Sequence, residues 1–380
     1  VLDNIFNYLL FLFKDNKLKN KMIVLNMIVK DESEVILRCL NSLLGIIDAV
    51  VISDTGSSDN TIEIINKWKD ENLIKGIVLH HEWKNFEYNR NLALDSCKEW
   101  ILENSDIEKD YICIIDADDE LVLEKDFQLS LNTDQIKIDW KYNNTFYTRS
   151  FLFKANVKSY WKGVVHEQLI CEGTLRKIEN AYILVNTDGQ RNKDPLKYLH
   201  DVVSLEKALE EDPENPRYIF YLAQSFRDFG YKIMAEKLYL ERFEIEKNTE
   251  ERYISLLEAA KCRIYRGKNN DKTLNILMKA FCFRPQRLEA AYYIVRYFRQ
   301  KQLYSMGYNF GKSLLYMPIP NDYLFIDYDV YNWKFYDEVA VCACWCNDKL
   351  LFIKLYENIL EKDISEETRE RINLDLIKYR

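Results

Sequence analysis

From Met22 to about Glu120 the chain repeats one pattern: a short apolar run closed by polar or acidic residues, then a stretch with helical spacing. This pattern limits the fold more than any other feature of the sequence. Apolar runs without alternation suit strands buried on both faces, and helices between such strands are the crossovers of a parallel sheet. "MIVLNMIV" reads as the first strand, Glu34 to Leu44 as a helix with one apolar face, and "AVVISDT" as the second strand. "NTIEIINKWKDENL" reads as the next helix, "IKGIVLHHEW" as the third strand, "RNLALDSCKEWILENS" as another helix, and "DYICIID" as a fourth strand ending in acids. The polar residues fall at the C-terminal ends of these strands, where ligands bind in open α/β sheets. That placement predicts an enzyme rather than a scaffold.

Between about Asn144 and Val185 the period shortens to "TFYTRSFLFKA", "SYWKGVVHEQLI" and "AYILVN", which predict antiparallel strands added to the sheet. After "DGQRNKDP" the chain turns almost wholly helical, with Pro213, Pro285 and Pro318 near helix ends. Their separations approach one or two units of about 34 residues, the period of a tetratricopeptide repeat. The clearest unit is "RYIFYLAQSFRDFGYKIMAEKLYLERF", where Ala223, Phe226, Gly230, Ala235 and Tyr239 fall at the small, aromatic and turn positions of such a repeat. The expected organisation is an N-terminal extension over 1–21, an α/β domain over 22–194, tetratricopeptide-like helices over 195–320 and a further helical region over 321–380. With 10 Gly and 6 Pro beside 26 Tyr and 19 Phe, the composition is poor in loop punctuation, in keeping with long helices.

A formal charge of -8 argues against a binder of nucleic-acid backbones. Nine cysteines are scattered without a CxxC pair or a His at zinc-ligand spacing, which predicts reduced thiols and a cytoplasmic setting. "VCACWC" places Cys342, Cys344 and Cys346 in alternation among apolar neighbours, and buried helix packing is the expected use. The apolar stretch from Ile5 to Phe13 is shorter than the roughly 20 residues a bilayer span needs.

Three acidic features carry the chemistry. Lys30, Asp31 and Glu32 follow the first strand, where a nucleotide base is received in such sheets. In "VISDTGSSDNT", Asp54 ends the second strand before a tight turn, and its carboxylate can accept from a uracil imide or a ribose hydroxyl; Asp59 reads as a helix N-cap. In "ICIIDADDE", Asp116 and Asp118 flank a small residue after an apolar strand and can share a ribose and a divalent cation, Mg²⁺ or Mn²⁺.

The segment from Met22 to about Asp194 resembles a family 2 glycosyltransferase of the GT-A fold, through "LNMIVKDESEVILRCLNSL", "VVISDTGSSDNTIEII", "HEWKNFEYNRNLAL", "ICIIDADDE" and "WKGVVHEQL". The wider chain is similar to the subgroup in which tetratricopeptide-like helices follow, which includes peptide S-glycosyltransferases of the sublancin type. The resemblance implies that Asp31 and Glu32 lie near the base, that Asp54 reads uracil or ribose, and that Asp116 and Asp118 form the DxD. It also implies that Arg90 is aimed at the diphosphate or at the acids that hold it. "WKGVVHEQL" supplies His166 and Glu167, adjacent on an expected strand and therefore on opposite faces. Glu167 is the expected general base, and His166 either ligates the metal or contacts the diphosphate. Trp161 stacks on a sugar or packs in the core. Asp188, Gly189 and Arg191 form a loop that either closes over the diphosphate or is a linker turn; where the family has "DGARS", Gln190 and Asn192 depart.

The expected activity is therefore inverting, metal-dependent transfer of a sugar from a nucleoside diphosphate sugar, UDP first, to a protein, peptide or glycan acceptor. A homodimer through the helical half fits the same architecture. The competing readings are a non-catalytic peptide-binding repeat protein and a sugar nucleotidyltransferase.

Overall fold

The computed structural model describes residues 21–143 and 145–379. The expected extension over 1–21 lies outside them except for Lys21. The described residues divide into two compact units: one holds 21–143 and 147–208, the other 145–146 and 209–379. Residues 321–379 therefore belong to the same unit as the helices before them.

The first unit is built on a mixed sheet ordered β3-β2-β1-β4-β7-β6-β10-β5. Strands β1 (Ile23–Val29), β2 (Ala49–Asp54), β3 (Lys75–His80) and β4 (Tyr111–Ile114) are mutually parallel, as the unalternated apolar runs required. β2 is buried along its whole length. Its two faces feed separate cores. Leu25, Met27, Val50 and Ile52 pack with α1 (Ile36–Ser42) and α2 (Thr61–Glu71) on one side; Val24, Val51 and Ile112 pack with α3 (Phe86–Asn104) on the other. Asn26, buried in β1, is satisfied by donating its amide to the Ala93 carbonyl at 2.9 Å. That bond fixes α3 over the sheet, since a buried amide without an acceptor costs about 1–3 kcal/mol.

After β5 (Glu120–Leu123), the strands β6 (Gln135–Tyr142), β7 (Thr145–Lys154) and β10 (Leu175–Leu184) extend the sheet. β7 runs antiparallel to β4 and β10 parallel to β6, so the expected antiparallel addition holds only in part. β8 (Ser159–Lys162) and β9 (Gln168–Cys171) form a separate hairpin. A short turn, α4 (Gln190–Lys193), leads to α5 (Lys197–Glu211), inside which the division between the units falls.

The second unit is helical apart from a two-residue strand, β11 (Ile326–Asp327), paired antiparallel with residues 145–146: α6 (Pro216–Asp228), α7 (Lys232–Glu244), α8 (Thr249–Tyr265), α9 (Asp271–Phe283), α10 (Leu288–Gln300), α11 (Tyr304–Lys312), a π-helical turn (Val330–Lys334), then α12 (Phe335–Trp345), α13 (Lys349–Leu360) and α14 (Glu366–Tyr379). The predicted repeat unit is the α6–α7 hairpin. Gly230 turns it with φ of 101°, and Ala223, Ala235 and Tyr239 are fully buried where the helices meet. Cys342 is buried in α12, where it packs against Gly307; all nine cysteines are free thiols. Buried charges in this unit face opposite charges: Arg242 with Glu251 at 2.9 Å, Arg263 with Glu236 at 2.7 Å, Arg227 with Glu258 at 2.8 Å and Arg287 with Glu289 at 2.8 Å. Among the described residues no helix is long and apolar enough to cross a membrane.

Candidate active site

The loops after β1 and β2 are laced together. Asp31 takes a left-handed backbone, φ 55°, which aspartate tolerates better than most residues. Its carboxylate accepts from the Ser58 amide at 2.6 Å, while its own amide donates to Ser57 Oγ at 2.9 Å. The Glu32 amide donates to Thr61 Oγ1, and Asp59 accepts from the Ser33 and Thr61 amides at the start of α2. Asn60, not Asp59, stands at the N-cap position; Asp59, one residue earlier, instead ties the two loops together, and these bonds outweigh its desolvation to hold its carboxyl at about 2. Asp54 is buried and turned into its own loop, accepting from the Gly56 amide at 3.0 Å, the Ser57 amide at 3.1 Å and His80 Nδ1 at 3.1 Å. Burial pushes its carboxyl up, but the bonds from Ser57, Gly56 and His80 win and hold it below the usual range. Lys30 is exposed.

The acids after β4 are crowded. Asp116 accepts from Arg90 Nη2 at 2.7 Å and lies 3.6 Å from Arg149 Nη1. Desolvation works against its ionisation, yet the two guanidiniums hold it well below the usual carboxylate range. At Asp118 the balance falls the other way: burial first and Asp116 second push it up to about 6. Asp119 is buried, accepts from Trp140 Nε1 at 3.2 Å, and is pushed up by burial and by both neighbouring carboxylates. Glu32 is likewise raised to about 7, mainly by desolvation and, among charges, by Asp118.

His166 and Glu167 do not lie on a strand. They stand in the turn between β8 and β9, and His166 has a left-handed φ of 52° and an exposed side chain. The strand ends at Lys162, so the opposite-faces expectation gives way to a turn that aims Glu167 inward. One face of α3 docks this turn: Glu87 accepts from the Gly163 amide at 2.8 Å, Asn91 exchanges two bonds with the Trp161 backbone at 2.8 and 2.9 Å, and Arg90 Nε lies 3.3 Å from Glu167 Oε2. Residues three and four apart on a helix share a face, which lets Glu87, Arg90 and Asn91 act together. Arg90 therefore bridges Glu167 and Asp116. Burial raises the Glu167 carboxyl although Arg90 opposes it, and Glu167 Oε1 has no hydrogen-bond partner. Trp161 is buried, with Arg90 over its ring at 4.8 Å, so it packs rather than offering an open sugar platform.

The segment 188–193 straps the acid cluster. Asp188 takes a bidentate pair from Arg38 at 2.7 and 2.8 Å, the Gln190 amide donates to Glu32 at 3.2 Å, and Asn192 Nδ2 donates to Asp118 Oδ2 at 3.3 Å. Asn192, a departure from the family pattern, is thus part of the cluster. Gly189 touches Asp118 so closely that a Cβ there would lie 2.6 Å from Oδ2. Arg191 pairs with Asp201 at 2.5 Å over the Phe86 ring and is near enough to Glu167 for its charge to favour that carboxylate.

The structure therefore gathers Asp116, Asp118, Arg90 and Glu167 with Glu32, while Asp31 and Asp54 organise the adjoining loops. Sequence reasoning missed Arg149, Asp119 and Arg38. The signal for Arg149 was a lone cation in the apolar run "YTRSFLF", at the same parity as Tyr147 and Phe151. Among the described residues no three His, Cys, Asp or Glu side chains are grouped as a cage for a metal ion. The donor set still suits a hard divalent cation of the Mg²⁺ type, which is usually held by one or two carboxylates and completed by substrate phosphates and water. The negative charge crowded around Asp118 by Asp116 and Asp188 is of the kind such an ion relieves.

Residues 25–127 match the Glycosyl transferase family 2 model. The chain is 25% identical over 224 residues to the SPbeta prophage-derived glycosyltransferase SunS of Bacillus subtilis strain 168, covering 53% of this chain and 48% of that protein. It is 34% identical over 111 residues to a TPR repeat-containing protein of Synechococcus elongatus, covering 29% and 23%. The chain thus spans less than half the length of either relative. Among solved structures, MamA aligns at TM-score 0.36 and 13% identity over 49% of this chain and 99% of that one, a likeness too slight to carry weight. Within the α/β unit, residues 25–127 are thus similar to glycosyl transferase family 2, and a series of helical hairpins follows in the chain.

Proposed function

We propose that the protein is an inverting glycosyltransferase that moves a sugar from a nucleoside diphosphate donor, UDP-sugar first, to a protein, peptide or glycan acceptor. The observation that carries the reading is the bridge made by Arg90 between Glu167 and Asp116. It joins a desolvated carboxylate to the acid cluster that follows β4. Glu167 takes the acceptor's proton as the acceptor attacks the anomeric carbon, and the bond to the diphosphate oxygen breaks. Burial favours this step, since a base works best when its pKa is moved toward the working pH. Arg90 holds the base in place and adds positive charge beside the departing diphosphate. Asp118, with Asp116, would hold Mn²⁺ or Mg²⁺, which supplies Lewis-acid stabilisation of the diphosphate when bound. His166 stands at the rim of the turn, suited to touch donor or metal-bound diphosphate. Glu32 and Asp31 border the base end, with Asp54 supporting that loop and Lys30 outside it. Arg191 braces the strap through Asp201.

The acceptor is best sought among polypeptides, because helical hairpins in series present a long surface of the kind that binds extended chains. A reducing, cytoplasmic setting agrees with nine free thiols, and the helical unit is the place to seek a homodimer contact. The test is a thermal-shift and hydrolysis screen of UDP-, GDP- and dTDP-sugars with and without Mn²⁺. A bound donor raises the melting temperature by mass action. Stabilisation by one donor class, lost in Asp118→Ala, supports the reading; no response to any donor overturns it.

A further inference from the structure

Arg149 lies on β7, and its guanidinium sits over the ring of buried Trp140 at 5.1 Å. Arg90 repeats that arrangement over buried Trp161 at 4.8 Å. The two Arg–Trp stacks line one narrow pocket at the end of β4, with Asp116 between them. Their grips on Asp116 differ. Arg90 makes a 2.7 Å hydrogen bond, whereas Arg149 stands at 3.6 Å, beyond a good hydrogen bond, with its side chain one-third exposed at 33%. Asp116 is thus already satisfied by Arg90, and the second guanidinium is left near it, oriented by an aromatic platform. Trp140 is itself fixed by donating its indole N–H to Asp119.

Charge points the same way. Around the pocket, Arg90 and Arg149 face Asp116 and Glu167, while nearby Arg38 is held in a short pair by Asp188 and Arg191 by Asp201. An incoming diphosphate therefore needs a cation that is not already closed in a short ion pair. Arg149 is that cation, because its ion pair is long and its fork is the geometry that matches phosphate oxygens.

We propose that Arg149 is a diphosphate-binding residue of this site, exchanging its loose contact with Asp116 for oxygens of the nucleoside diphosphate. The inference rests on the glycosyltransferase reading above and specifies one of its donor contacts. It is tested by isothermal titration of UDP, GDP and dTDP, each against its own nucleoside, on the wild-type chain, Arg149→Gln and Arg149→Lys. The expected result is a roughly tenfold to hundredfold weaker diphosphate binding in R149Q, as loss of a charge-assisted bond predicts. Nucleoside affinity should not change, and R149K should recover part of the loss. Equal losses for nucleotide and nucleoside, or no loss at all, overturn the inference while leaving the broader reading intact. Absence of nucleotide binding by the wild type overturns that reading, and this inference with it. If R149Q does not fold, R149K alone decides: unchanged diphosphate affinity there removes the forked contact from the proposal.

Discussion

Both units bury charge, but they do so differently. In the helical unit Glu236, Glu251, Glu258 and Glu289 each face an arginine within 3 Å. In the α/β unit the acids face each other: Asp118, Asp119 and Glu32 are all raised by burial, with neighbouring carboxylates adding to it, and Glu167 keeps one buried oxygen unpartnered. Closed pairs stabilise a fold only against their own desolvation, and removing one partner leaves a buried charge exposed to the full penalty. The contrast teaches where to look for function: perturbed acids in a cleft mark a working site more often than paired ones do.

The largest expected effect breaks the contrast on the site side. Glu167→Gln should lower kcat of sugar transfer by about a hundredfold to ten-thousandfold, the usual contribution of a general base. Donor affinity should stay within about twofold, and the melting temperature should not fall, because a raised, half-partnered carboxylate costs the fold free energy. Steady-state kinetics beside a melting curve separate the two; a destabilised but active variant would make Glu167 structural. The mirror experiment is Arg287→Ala in the helical unit. It strands Glu289 in the core and should cost about 3–5 kcal/mol in denaturant titration, without altering nucleotide binding.

The same contrast explains what the sequence could and could not reveal. The parallel strands and the acids at their ends were legible because unalternated apolar runs and acids at strand ends are local signals. The α6–α7 hairpin was legible because small residues must sit where helices touch. Arg149 was not, because its meaning depends on β7 lying beside β4, a pairing between residues far apart in the chain. The turn that aims Glu167 was misread as strand for the same reason. Its conformation is imposed by Glu87 and Asn91 of α3, more than sixty residues away. Nor could the strap be read, since Asn192 acquires a role only by reaching Asp118.

Titration sharpens the comparison with opposite signs. Glu258 is buried; desolvation alone would raise it, but Lys261 and Arg227 hold it at about 2, well below an ordinary glutamate. Its folded pKa is depressed, so its contribution is fully present above the ordinary glutamate range and is lost as pH falls toward 2. Urea unfolding at pH 6 and pH 3 should show that loss, and Glu258→Gln should flatten it. Glu167 behaves oppositely. Its carboxyl is raised, by burial above all, and it acts as base only when ionised. Turnover should therefore decline on the acid side at a higher pH than an ordinary glutamate would give, while stability shows no matching decline from that residue.

The smallest effect concerns the strap. Gly189 is not conformationally special, but a methyl group there would meet the Asp118 carboxylate at 2.6 Å, closer than real Cβ contacts come. In Gly189→Ala either the strap lifts or the carboxylate turns away. Lifting would disturb Asn192 on Asp118 and the Gln190 amide on Glu32, both part of the open cluster and neither part of the fold's main core. The helical unit, held by closed pairs, has no stake in this position. Melting should therefore shift little, while donor binding in the presence of Mn²⁺ weakens by about tenfold, equivalent to roughly 1.4 kcal/mol. A tenfold loss that persists without Mn²⁺ would place the strap's contribution on the nucleotide itself. An unchanged affinity in both conditions would show that Asp118 is free to move, and that the crowding around it is not what prepares the site.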